Sequence, residues 1–132
     1  MEDNEAMVGE DRIQTQHVTI WKEDGILFCK YIKGLHVTLE IAKQSVEARF
    51  DLHKGDICRL LVDMRGIKSV TREAREYLGT VGASRMKAGA LIVGSFLNSS
   101  IGNVFLLFEK PPVPVKLFRN REKAVEWLKN YA

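Results

Sequence analysis

The chain has 132 residues, a mass of 15.0 kDa and room for one ordinary domain. An apolar content of 45% with 28% charged residues suits a globular core and excludes collagen-like, coiled-coil and wholly disordered classes. Twenty basic against seventeen acidic residues give a net charge of +3, too mild for a nucleic-acid partner, and no apolar run approaches the roughly 20 residues of a membrane span.

Residues 1–15 read as a disordered acidic leader. Its start, Met1-Glu2-Asp3-Asn4-Glu5, lacks the basic-then-apolar pattern of a secretion signal, so a cytoplasmic location is expected. Residues 16–132 read as a single domain. His17 to Trp21 is a β-rich run closed by Lys22-Glu23-Asp24-Gly25, and Asp-Gly is a strong hairpin turn. Ile26 to Ile32 makes the returning strand. After Gly34 the period shifts to 3.6: Thr38 is the N-cap and Leu39, Ala42, Val46 and Phe50 share a stripe. His53-Lys54-Gly55 stops that helix.

Cys58 to Asp63 reads as a strand buried on both faces. Gly66 then turns the chain, Met64 to Val70 reads as a loop, and Thr71 caps a second helix with Ala74, Tyr77, Leu78 and Val81 on its stripe. Ala88 to Ser95 is a further buried strand. Phe96 to Phe108 follows as an apolar helix capped by Asn98 or Ser99 and ended by Pro111, Pro112 and Pro114. Val115 to Phe118 is the last strand, and Asn120 caps a terminal helix packing Ala124, Trp127, Leu128 and Tyr131. The order predicts an α/β fold, with a mixed, largely parallel five-stranded sheet that starts with a β-hairpin.

Motifs for chemistry are sparse. Cys29 and Cys58 lie in apolar strands without a Cys-x-x-Cys spacing, as reduced packing residues do. His17, His36 and His53 lack metal-ligand spacing, and phosphate-loop, dinucleotide and nucleophile-elbow motifs are missing. The expectation is therefore no metal, no cofactor and no catalysis. Mixed charge runs such as Arg72-Glu73-Ala74-Arg75-Glu76 read as solvated helix faces.

Two places invite a functional reading. Asp63 ends a central strand, and Ser69 and Thr71 approach a helix N-terminus, where free N–H groups favour an added phosphate. The plainer reading makes Thr71 an N-cap, Ser69 a loop hydroxyl and Asp63 a strand terminator. The second place is the apolar helix. Leu97, Ile101, Val104, Phe105 and Phe108 make one stripe, while Phe96, Leu106 and Leu107 lie off it. That surplus calls for cover by the rest of the chain, by a ligand or by a second subunit. Ile101, Val104, Phe105 and Phe108 are accordingly the candidate contacts to a lipid, a nucleotide or the other half of a homodimer.

Leu61-Val62-Asp63 before a helix entered by hydroxyl residues, with Pro114-Val115-Lys116-Leu117-Phe118 and Ala124-Val125-Glu126-Trp127-Leu128 at the end, resembles the STAS domain family. The ending looks like that of the STAS-like branch of small uncharacterised bacterial proteins related to the sporulation anti-sigma-factor antagonist IIAA. The resemblance covers about Gln16 to Ala132. It implies a non-enzymatic bacterial regulatory module that binds a protein partner, a regulatory kinase or an anti-sigma-like factor. It also implies a phosphorylated hydroxyl, here Ser69 or Thr71, beside Asp63. The chain departs from the family pattern at Arg65, where a hydroxyl belongs, and at Arg72, in place of a glycine. On that pattern the scaffold is kept and the phosphoswitch lost.

Overall fold

The computed structural model describes residues 7–9 and 11–132. In chain order the strands are β1 (Met7–Gly9), β2 (Arg12–Gln14), β3 (Val18–Glu23), β4 (Ile26–Tyr31), β5 (Leu35–Val37), β6 (Cys58–Asp63), β7 (Ile67–Val70), β8 (Met86–Ile92) and β9 (Val115–Phe118). The helices are α1 (Leu39–His53), α2 (Arg72–Gly79), α3 (Phe96–Glu109) and α4 (Arg121–Lys129), with a short 3-10 turn at Val81–Ala83.

Seven strands form the main sheet in the order β1-β2-β3-β4-β6-β8-β9. β1 to β4 are an antiparallel meander, and β4, β6, β8 and β9 run parallel. Asp24 and Gly25 both take positive φ, 54° and 77°, which is how the β3–β4 hairpin closes in two residues. β5 and β7 form a separate two-stranded parallel ladder.

Period-two alternation sorts the central strands between two cores. Ile26 and Phe28 of β4 join Leu61, Ala88, Ala90 and Ile92 beneath Ala124 and Leu128 of α4. Leu27, Cys29 and Tyr31 face the other way, into the core shared with Ala42, Leu52 and Ala74 of α1 and α2. Both faces are covered, so β4 is apolar nearly throughout.

The mixed, mostly parallel α/β layout matches the expectation, and the five expected strands are β3, β4, β6, β8 and β9. Four further strands enlarge it. The leader expected to be disordered over 1–15 contributes β1 and β2, with Ile13 opposite Ile20 and only 6% exposed. Two three-residue strands are too short to show a period, which is why composition alone misread them. Residues 1–6 and 10 of that leader lie outside the described residues. β5 and β7 were hidden for the same reason, and β7 occupies the segment expected to be a loop.

The caps Thr38, Thr71 and Asn120 each accept a backbone N–H three residues on. The cap of α3 is Ser95, not Asn98 or Ser99: Ser95 Oγ accepts from the Asn98 N–H at 3.0 Å. Val81 does not extend α2, which stops at Gly79, and sits 43% exposed in the 3-10 turn.

Candidate functional site

The expected switch residues make separate hydrogen bonds. Asp63, at the carboxyl end of β6, is bound by Arg65: Oδ1 accepts from the Arg65 backbone N–H at 3.1 Å and from Nε at 2.9 Å, and Oδ2 from Nη2 at 2.8 Å. Burial pushes this carboxyl up, yet the bonds and charge of Arg65 outweigh it and hold Asp63 below the usual carboxylate range. The arginine standing where the family has a hydroxyl therefore neutralises the aspartate.

Ser69 stands two residues before the α2 cap, near the helix N-terminus as expected, but in a strand and not a loop. It lies within β7 opposite His36 of β5, with its Oγ 2.6 Å from His36 Nδ1. Thr71 is the α2 cap, its Oγ1 accepting from the Ala74 N–H at 3.1 Å. Each of the three residues thus bonds a different local partner.

The Met64–Ile67 turn is instead tied to α3 by Asn98. This side chain is 2% exposed; its Nδ2 donates to Met64 O at 2.6 Å and Ile67 O at 3.0 Å, and its Oδ1 accepts from the Gly94 N–H at 3.0 Å. Gly66 keeps the turn tight, since a Cβ there would meet the Ile32 carbonyl carbon at 2.7 Å. Gly102 brings α3 down onto β9, where a Cβ would come within 2.8 Å of Leu117 Cδ2.

Between the sheet and the helices α1, α2 and α3 lies a cavity of about 280 Å³. Val62, Leu91 and Met86 supply its wall on the sheet side, and Ile101, Val104 and Phe105 its wall on α3. Phe108, expected to share that role, points elsewhere: it is 64% exposed, with the Arg75 guanidinium 5.3 Å from its ring centroid. Arg75 Nε donates to Glu109 Oε2 at 2.7 Å and so ties α2 to α3 at the edge of the cavity.

The polar groups in the cavity wall come mainly from α1 and β4. Tyr31 Oη donates to Ser45 Oγ at 2.9 Å, and Ser45 donates onward to Ala42 O at 2.9 Å. Burial pushes the Cys29 thiol up to about 12, which makes it a packing group and a poor nucleophile at neutral pH. Arg49 is buried beside them. Its Nη2 donates to Gly82 O at 2.6 Å, and its Nε has no acceptor among the described residues. Burial lowers the Arg49 pKa, but a guanidinium remains protonated in a protein. The arrangement can enclose an apolar body and offer it a buried cation, Arg49, while Arg75 is already paired with Glu109.

Sequence reasoning missed Arg49 and Asn98. The signal for Arg49 was present: it stands three residues after Val46 on the stripe that α1 buries, a position where a charged residue needs a reason. Asn98 was noticed only as a cap.

Among the described residues no helix is long and apolar enough to cross a membrane, and no cluster of three metal-ligating side chains occurs. No curated protein matches the sequence. The fold is similar to that of an uncharacterised DUF3478-family protein from Shewanella loihica PV-4, whose crystal structure is described as having a SpoIIAA-like fold. The TM-score is 0.62 at 20% identity, over 97% of this chain and 98% of that one. The STAS-like resemblance read from the sequence thus holds at the level of the fold. Residues 20–132 match the model of DUF7793, a domain of unknown function, and the chain belongs to that family.

Proposed function

We propose that this protein is a cytoplasmic, non-catalytic binding domain that takes a small apolar molecule into the cavity between its sheet and α1, α2 and α3. The observation that carries this reading is the cavity itself, about 280 Å³ with an apolar α3 wall. Protein interiors hold few voids larger than a water, and a 150 Å³ apolar cavity in another protein already binds benzene. The test uses N-phenyl-1-naphthylamine, a neutral fluorophore that brightens in apolar surroundings. Wild-type protein should bind it saturably, and Ile101→Trp, which fills the cavity, should abolish binding while the fold is retained. Equal binding by both proteins would sink the reading.

A second reading is favoured by one specific feature, the outward side of α3. Phe96, Leu97, Leu107 and Phe108 are 87%, 59%, 65% and 64% exposed, more apolar surface than a solvated helix face carries. This supports a regulatory protein-interaction module, with a kinase or an anti-sigma-like factor as the partner that the family resemblance implies. A homodimer would use the same surface. The phosphoswitch part of that reading has less support, because phosphate on Ser69 would break the His36 contact and phosphate on Thr71 would disturb the α2 cap. Phe96→Glu with Phe108→Glu should leave the melting temperature nearly unchanged and dissolve any dimer seen by light scattering. A dimer that survives the double substitution would place its interface elsewhere.

A further inference from the structure

Arg49 is 5% exposed, yet no carboxylate among the described residues lies within ion-pair distance of it. Two carbonyls of the 3-10 turn region take its Nη2: Gly82 O at 2.6 Å and, more weakly, Ser84 O at 3.5 Å. The Nε–H is left over, buried and without an acceptor. A buried cation is normally paired, and a buried donor normally has an acceptor. Both deficits occur on one side chain, and that side chain lines the apolar cavity.

We infer that the cavity takes an amphipathic monoacid, with its carboxylate on Arg49 and its apolar chain running along Ile101, Val104 and Phe105 of α3. One acid group supplies the counter-charge that the buried guanidinium lacks. The hydroxyls of Tyr31 and Ser45, bonded to each other at 2.9 Å, line the same cavity and add polar surface. Arg75, the other cation in the wall, is paired with Glu109, so Arg49 alone has a charge to offer and a doubly charged phosphate would leave one negative charge uncompensated. At about 280 Å³ the cavity has room for a single medium-length chain.

This inference rests on the cavity being a ligand site, so the experiment separates the two claims. Full-length protein, stripped of bound lipid, is titrated with sodium decanoate and, in parallel, with decanol, by displacement of N-phenyl-1-naphthylamine. Decanoate should bind at least about tenfold tighter than decanol, the factor that one charge-assisted hydrogen bond supplies. Arg49→Met, which keeps length and removes charge, should bring the two to equal affinity. If Arg49→Met does not fold, the wild-type preference decides alone. Equal binding of decanoate and decanol by wild type would overturn the acid headgroup while leaving the cavity reading intact. Displacement by neither would overturn both.

Discussion

The two faces of the central sheet are built to different standards. Under α4, Ala88, Ala90 and Ala124 are 0% exposed and let the helix lie close. Leu128, also fully buried, fills the centre, and Phe118, Trp127 and Tyr131 pack around it. Under α1, α2 and α3 the helices stand over the cavity, and the four buried polar or charged residues among the described ones, Ser45, Arg49, His53 and Asn98, lie on α1 or α3. One face closes with no fully buried polar side chain among the described residues; its Arg59 is only partly buried and donates to Leu128 O at 3.3 Å. The other keeps space and polarity that folding alone would have removed, and that is where a binding function belongs.

Substitutions can break this contrast from either side. The largest effect is expected on the closed face: Leu128→Ala should destabilise by about 3 kcal/mol, since nothing can collapse into the void. It should leave decanoate affinity unchanged. Asn98→Ala, on the other face, removes three bonds and leaves the Met64 and Ile67 carbonyls without this donor, at a cost of about 2 kcal/mol by chemical denaturation. Because Asn98 holds α3 to the turn, this variant should also change decanoate affinity. Thr71→Ala should cost about 1 kcal/mol, the worth of a helix cap, with no effect on binding.

The smallest effect is a pH dependence. Burial, and then the neighbouring Arg49 charge, hold the His53 pKa below its ordinary value, and both ring nitrogens are buried without partners among the described residues. The unfolded chain therefore takes up the proton first. Stability from neutral His53 is fully present above about pH 6.5 and falls as the pH drops from there toward the lower folded value. A His53→Phe variant should lose this slope in melting scans between pH 7 and 5 (about those limits). An unchanged slope would place its origin elsewhere.

Much of the frame was legible in the sequence because strong periods leave little choice. The five long or doubly covered strands, the four helices and the caps Thr38, Thr71 and Asn120 all came from spacing and turn chemistry. The additional strands have three or four residues each; β9 is as short as β7 but was marked by the prolines before it and the helix cap after it. Ser69 was placed in a loop, since β7 was read as one. The site was less legible. Ile101, Val104 and Phe105 announced themselves as surplus apolar residues, but a surplus does not say whether it meets core, ligand or partner. Arg49 sits among Lys43, Glu47 and Asp51 and looks like one more surface charge until the helix is laid on the sheet. A cavity is a property of packing, and no local pattern encodes it.

The most direct test of the account follows methyl resonances of the full chain while sodium decanoate is added. Shifts confined to Val62, Leu91, Ile101 and Val104, with Ile26, Ile92 and Leu128 beneath α4 unmoved, are the predicted result. Shifts spread over both faces, or no shift at any of these methyls, would contradict it.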